Sequence, residues 1–214
     1  MTRPARAGVE CAVPFDYHRF WVLSEGFKRG AFRVHALGMI PDPDALTHAD
    51  VAPDEPIRFH HDQGGRLYDF IGTTWAVLDL VSDRFVTLLR DNGFTGWKTF
   101  PVAIYNKGGK EVPGYHGLAV TGRCGPIDES LSPVMTLPSP VPQGEAMPHR
   151  IGLRFSPETW DGSDVFSPEG TTFVFINGSV RNTLVKARIG NIRLQRLTEF
   201  AQLVIPAEHQ SQPL

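Results

Sequence analysis

Cysteine is scarce in this chain: two thiols, Cys11 and Cys124, in 214 residues. They lie far apart in sequence, so no disulfide framework is expected and reduced thiols are the simple reading. No apolar run approaches the ~18 residues of a membrane-spanning helix. Arg3 and Arg6 could open a leader, but the apolar stretch of ~7–15 residues that should follow is missing. The expectation is a cytoplasmic protein with no membrane contact. Neither sign of charge dominates: 21 Lys and Arg stand against 23 Asp and Glu, a formal net charge of −2. That balance gives no long-range attraction to nucleic acid, and it is too small for an acidic nucleic-acid mimic. Spaced His-x-His, His-Glu-x-x-His and Cys-x-x-Cys patterns are lacking as well. No metal, no cofactor and no enzymatic activity are expected.

What is present is ordinary globular material, 41% hydrophobic and 21% charged. A chain of this length buries roughly 70% of its unfolded surface, enough for one core without staples. Residues 1–13 read as a loose tail, 14–205 as one domain and 206–214 as a second tail. A subdivision, if there is one, falls near residues 133–148. That segment holds Pro133, Pro138, Pro140, Pro142 and Pro148, and is expected to be an irregular surface loop, because proline lacks a backbone donor.

Trp21-Val22-Leu23 reads as a short strand. Residues 58–61 and 67–71 flank Asp62-Gln63-Gly64-Gly65, which suggests a hairpin. Residues 75–81 form an apolar strand candidate, Ser82 can cap a helix, Phe85, Leu88 and Leu89 share one helical face, and Gly93 stops it. Residues 97–105 and 115–121 read as strands around the turn Asn106-Lys107-Gly108-Gly109. Later, a strand at 171–176 leads to a cap at Asn177 or Ser179, a helix to about Arg188, an end at Gly190 and a strand at 192–197. The fold class is therefore α+β, with mixed or antiparallel sheets and few helices. The two strand–helix–strand units align with a constant offset of 95 residues: Leu78 with Phe173, Leu80 with Phe175, Val81 with Ile176, Phe85 with Val180, Leu89 with Leu184, Trp97 with Ile192. Either the module is duplicated, or two amphipathic units share a common grammar. Trp75, Phe85, Leu89, Trp97, Trp160, Phe173, Phe175 and Leu184 are expected in one core.

Four places could carry chemistry. His60-His61-Asp62 sits on a strand, where adjacent side chains point to opposite faces, so the two imidazoles cannot meet one ion. The stretch Gly114-Tyr115-His116-Gly117-Leu118 and Thr121-Gly122-Arg123-Cys124-Gly125-Pro126-Ile127-Asp128 is glycine-rich. Its His116 and Cys124 could be a base and a thiol nucleophile. The plainer reading is a turn pinned by an Arg123–Asp128 pair. In Trp160-Asp161-Gly162-Ser163-Asp164-Val165-Phe166, Asp161 and Asp164 can fold onto backbone amides as Asx turns, or, beside a serine, serve a hydrolase or a cation. Finally, Asp42, Asp44, Asp50, Asp54 and Glu55 form a run with no Lys or Arg among them, suited to steering a basic protein partner. Arg181, Lys186, Arg188, Arg193 and Arg196 form the opposite run later in the chain.

The glycine-rich stretch, the Trp160–Phe166 motif, the segment Trp97-Lys98-Thr99-Phe100-Pro101-Val102 and the flanking strand–helix units together resemble immunity family eleven of the bacterial polymorphic toxin systems. The similarity runs from about residue 68 to 204. It implies an α+β cytoplasmic protein that neutralises a cognate toxin, often a nuclease, by direct stoichiometric binding, with no catalytic residues of its own. The acidic run is then the candidate toxin-binding segment, residues 133–148 a second contributor, and Tyr115, His116, Arg123, Cys124, Asp128, Trp160, Asp161 and Asp164 structural. The alternatives are a small hydrolase whose cleft gathers His116, Arg123, Cys124, Asp161 and Asp164, or a ligand-binding module with a groove between the paired units.

Overall fold

A computed structural model describes residues 15–40, 42–74, 78–139, 141 and 143–204. Among them are three α-helices, α1 (Pro43–Thr47), α2 (Asp83–Asp91) and α3 (Gly178–Lys186), and four sheets, which is the expected α+β class. One sheet joins β1 (Phe20–Glu25), β10 (Gly122–Cys124), β13 (Val165–Pro168), β14 (Val174–Asn177) and β15 (Ile192–Arg196) in the order β10-β13-β14-β1-β15. A second joins β4 (Phe70–Ile71), β6 (Asp79–Ser82), β7 (Trp97–Phe100) and β9 (Tyr115–Val120) in the order β4-β6-β9-β7. The third contains β2 (Arg33–Ala36), β3 (Ile57–Gln63), β5 (Thr73–Thr74) and β8 (Val102–Tyr105), and the fourth β11 (Val134–Leu137), β12 (Met147–Ile151) and β16 (Ala201–Leu203).

The 95-residue offset reaches well beyond the two units that suggest it. It maps β6 onto β14 and α2 onto α3 residue for residue, and their caps correspond as well. Ser82 accepts from the Phe85 amide, and Asn177 accepts from the Ser179 and Val180 amides, which satisfies donors that a helix start leaves free. The offset also carries β4 onto the start of β13 and β1 onto β9, and the pairing registers agree: Val81 faces Phe70 as Ile176 faces Val165, and Asp79 faces Leu118 as Val174 faces Leu23. Strand β9 lies between β6 and β7, and β1 lies between β14 and β15. The leading strand of each half therefore completes the sheet of the other half. The helix ends correspond too. Gly93 holds the left-handed position after α2, and Arg188, not Gly190, holds it after α3.

Side chains alternate across the strands, so each of the two larger sheets buries two faces. Val81, Leu118, Val120, Leu23, Val174 and Ile176 join Phe85, Leu89, Val180 and Leu184 in a central core shared by both halves. Leu80, Ile71 and Ala119 face outward into a second core with Phe59, Val34 and Ile104. Phe166, Phe175, Val22 and Phe20 face a third with Phe155 and Leu153. The expected single core is thus divided. Phe85, Leu89 and Leu184 lie in the central cluster with Trp97 against it, while Phe175 lies in the third with Trp160 and Phe173 against it. Trp75 and the first part of its strand fall outside the described residues, as do Cys11 and the tails.

Three local expectations are corrected. Residues 58–61 and 67–71 are not a hairpin: β3 pairs with β2 and β8, and Phe70 and Ile71 pair with β6. The 97–105 segment is two strands in different sheets, broken at Pro101, whose carbonyl accepts from Ile57 as the chain changes sheet. Residues 133–148 are not irregular throughout. Val134–Leu137 pairs with Met147–Ile151, and Pro148 stands in the strand by offering its carbonyl to Val204.

Candidate partner-binding surface

The motif residues act as fasteners between elements. Asp161 accepts from the Arg123 amide at 2.8 Å with one oxygen and from the Ser163 amide at 2.9 Å with the other, the expected Asx turn. Trp160 closes the loop by donating to the Ser163 carbonyl. Asp164 reaches across the halves: it accepts from the Thr95 amide and hydroxyl at 2.9 and 3.0 Å, and from the Asn177 amide at 2.6 Å. Its equivalent under the offset, Asp69, accepts from the Gly190 amide at 2.8 Å and the Ser82 hydroxyl at 3.0 Å. Each half thus clamps the helix–strand turn of the other with one carboxylate. Asp69 escapes a motif reading, although the offset from Asp164 points straight to it.

Cys124 is buried in the third core, and burial, with the charge of Asp161 behind it, pushes its thiol up to about 12. Such a thiol holds its proton and is a poor nucleophile. His116 contacts Asp83 at 2.6 Å on the outside of β9. Tyr115 donates to the Tyr68 carbonyl, and burial, then Asp69, raise it to about 12. Asp128 caps a single turn of 3-10 helix, and the Ser130 hydroxyl, then its amide, lower its pKa. None of His116, Arg123, Cys124, Asp161 and Asp164 lines the cleft of about 640 Å³ beside the acidic segment or the cleft of about 370 Å³ between the halves. No group of three or more His, Cys, Asp or Glu side chains placed to hold a metal occurs among the described residues. Of the basic run, Arg181 and Arg196 stack on the ring of Trp21 at 5.7 and 5.8 Å.

Arg123 does not pair with Asp128. Its guanidinium pairs with Asp50 at 3.5 Å and donates to the carbonyls of His48, Val120 and Gly122. Gly122 lets β10 lie close against β13, because a side chain there would strike the Val165 carbonyl. Through Arg123 the glycine-rich strand holds the acidic segment in place. That segment leaves β2 at Leu37 and returns at β3. Asp42 caps α1 by accepting from Ala45, and Pro43 occupies the first turn, where its missing donor costs nothing. Leu46 and Thr47 turn inward, and the His48 ring contacts the Thr171 carbonyl of the other half at 2.8 Å.

Asp42, Asp44, Asp50, Asp54 and Glu55 are all exposed. Three of them, Asp42, Asp54 and Glu55, line an apolar cleft of about 640 Å³ together with Arg58, while Asp44 and Asp50 lie outside it; Ile40, Leu46 and Ile57 are its less exposed apolar lining, and it is open at Leu37, Met39 and Val51. Met39 is 90% exposed and Leu37 and Val51 about half exposed. Apolar side chains grouped in water beside a charged rim are a feature of binding surfaces. The acids are readable in the sequence. The cleft between them is not, because Leu37 and Met39 look like core residues until the chain is folded.

The chain belongs to the immunity protein family Imm11, whose model matches residues 25–199. The match begins well before residue 68 and takes in the acidic segment. A sphingolipid C9-methyltransferase of Candida albicans is 27% identical over 130 residues, covering 49% of this chain and 25% of that protein. So small a share of the fungal enzyme carries none of its activity over. No helix among the described residues is long and apolar enough to cross a membrane.

Proposed function

We propose that this protein protects its cell by binding one cognate toxin stoichiometrically in the cytoplasm, and that the cleft at Leu37, Met39 and Val51 with its acidic rim is the surface that does so. The observation that carries the reading is the cleft itself: exposed apolar side chains beside Asp42, Asp54 and Glu55, in a segment that Arg123 ties down at His48 and Asp50. Family membership supports the immunity role. Apolar anchors in such a cleft exclude water and slow dissociation, while rim charge speeds encounter. A toxin that binds nucleic acid has a basic surface, so the rim suits a nuclease. No catalysis is needed, since occupying the toxin's working face is enough.

The test is co-expression with the toxin encoded beside this gene, together with isolation of the purified pair. Survival and a stable complex are expected. Cell death in the presence of abundant folded protein, with no complex formed, would refute the immunity reading. Protection by a variant carrying Met39→Asp and Val51→Asp, as strong as wild type, would instead leave immunity intact and remove the cleft from it.

A further inference from the structure

Two acids interrupt the correspondence between the halves. Val120 and Val174 pack in the central core, and the positions equivalent to them are Glu25 and Asp79. Glu25 is 6% exposed; its carboxylate takes the Arg33 guanidinium at 3.2 Å and the Asn191 amide at 3.4 Å. It presses on Gly72, where any side chain would displace it. Arg33 in turn lies over the Phe27 ring at 5.1 Å. Asp79 has no comparable partner: no hydrogen bond or ion pair to its carboxylate occurs among the described residues. Burial, then the charge of Glu25, push it up to about 7, and no cation offsets them.

Both acids line one cleft of about 370 Å³ between the halves, walled by Phe27, Leu78, Phe173 and Phe200, with Arg193 and Gln195 also on its lining. Valines serve the same positions in the other half, so the fold does not require charge there. Asp79 keeps partial exposure at the cleft, and a carboxylate only partly hydrated and without a counter-charge still costs stability. The volume suits a small ligand, and carboxylates beside aromatic rings suit a cationic one. The Arg33 guanidinium, set between Glu25 and Phe27, already shows that chemistry. A metal is a poorer fit, because no third ligating side chain joins the two acids.

We propose that this cleft binds a small organic cation, a primary ammonium or guanidinium group, whose charge meets Asp79 and Glu25 and whose apolar part lies against the phenylalanine rings. The inference stands apart from the toxin reading. Binding draws the proton from Asp79, so affinity rises with pH through about 7. The charged groups facing the site are Glu25, Arg33 and Arg193, and no histidine lines it.

The experiment is an NMR titration of the full chain with n-butylammonium, with n-butanol as the uncharged control. Saturable shifts are expected at Gly72, Thr73 and Val174, with a dissociation constant on the order of 1 mM for so small a probe. At about pH 6, and in Asp79→Asn, binding should be weaker by about tenfold, a loss worth one counter-charge. Asp79→Val, which copies position 174, should fold and also lose binding. Repeating the titration with N-acetyl-lysine methylamide distinguishes sources: binding of that compound alone assigns the cation to a protein side chain, and binding of butylammonium alone to a free amine. No saturable shift in folded protein with either compound, equal binding of butanol, or unchanged affinity in Asp79→Asn would overturn the proposal.

Discussion

Residues 79–97 and 174–192 carry the same elements in the same register, and the caps, turns and cross-half carboxylates follow suit. Residues 39–56 and 134–151 occupy equivalent places in the two halves and share nothing. The first is a short helix and loop around an acid-rimmed apolar cleft. The second is the β11–β12 hairpin, whose Val134, Met135 and Met147 are exposed. The shared elements bury one face each against their counterparts, so packing dictates their residues. Neither excursion contributes a buried side chain to the central core, and the first sends Leu46 into the second core; the remaining surface of both is available for recognition.

If the halves are mechanically equivalent, equivalent lesions should cost the same. Leu89→Ala and Leu184→Ala, equivalent under the offset, each empty space in the central core. Both should destabilise by about 2–5 kcal/mol, read from denaturation midpoints at unchanged slope. A large loss in one and none in the other would break the equivalence. Asp69→Ala and Asp164→Ala should each cost roughly 1–3 kcal/mol, because each strands amide donors at the opposite half's turn. Hydrogen exchange should locate the loss at Gly190 for the first and Thr95 for the second. Exchange enhanced only within the mutated half would argue against the cross-clamp.

Asp79 sharpens the comparison at the site where the halves differ. Its folded pKa is raised, so the folded state binds the proton more tightly than the unfolded chain. The resulting penalty is absent below about pH 4, grows as pH rises, and is complete above about pH 7. Asp79→Asn should therefore stabilise by about 1–2 kcal/mol at pH 8 and leave stability unchanged near pH 4. Thermal melts at the two pH values check this, and an equal effect at both would remove charge as the cause. Arg123→Ala should have a smaller effect on global stability, about 1 kcal/mol, while loosening residues 48–50, where its contacts end.

The strand–helix–strand units were legible because their signals are local: Ser82 before a helical face, Gly93 after it, and the same pattern 95 residues on. The correspondence of Phe70 with Val165 is harder to read, since the two-residue strand β4 has no periodicity to set beside the four residues of β13. Nothing in β1 announces that it pairs with β14 and β15 rather than with its own half, because strand exchange is a choice of partner and not of pattern. The 133–148 hairpin was hidden by its prolines, which a strand tolerates where a ladder donor is not required. For the candidate surface, charge was readable and shape was not. The partner of Arg123, Asp50, lies 73 residues away in sequence, beyond the reach of a turn argument, which favours Asp128.

The most direct test of the account measures association and dissociation rates between the purified protein and its neighbouring toxin for wild type, Met39→Asp, and a variant with Asp42, Asp44 and Asp54 changed to Asn and Glu55 to Gln. Asp50 is left in place because it holds Arg123. All three proteins should melt alike, since every altered side chain is exposed and asparagine at position 42 can keep the cap on α1. Met39→Asp should accelerate dissociation by about 30-fold or more, the cost of losing a central anchor. The neutralised rim should slow association by about tenfold at low salt and lose most of its salt dependence. Rates unchanged in both variants, with a complex still forming, would contradict the assignment of this cleft as the toxin-binding surface.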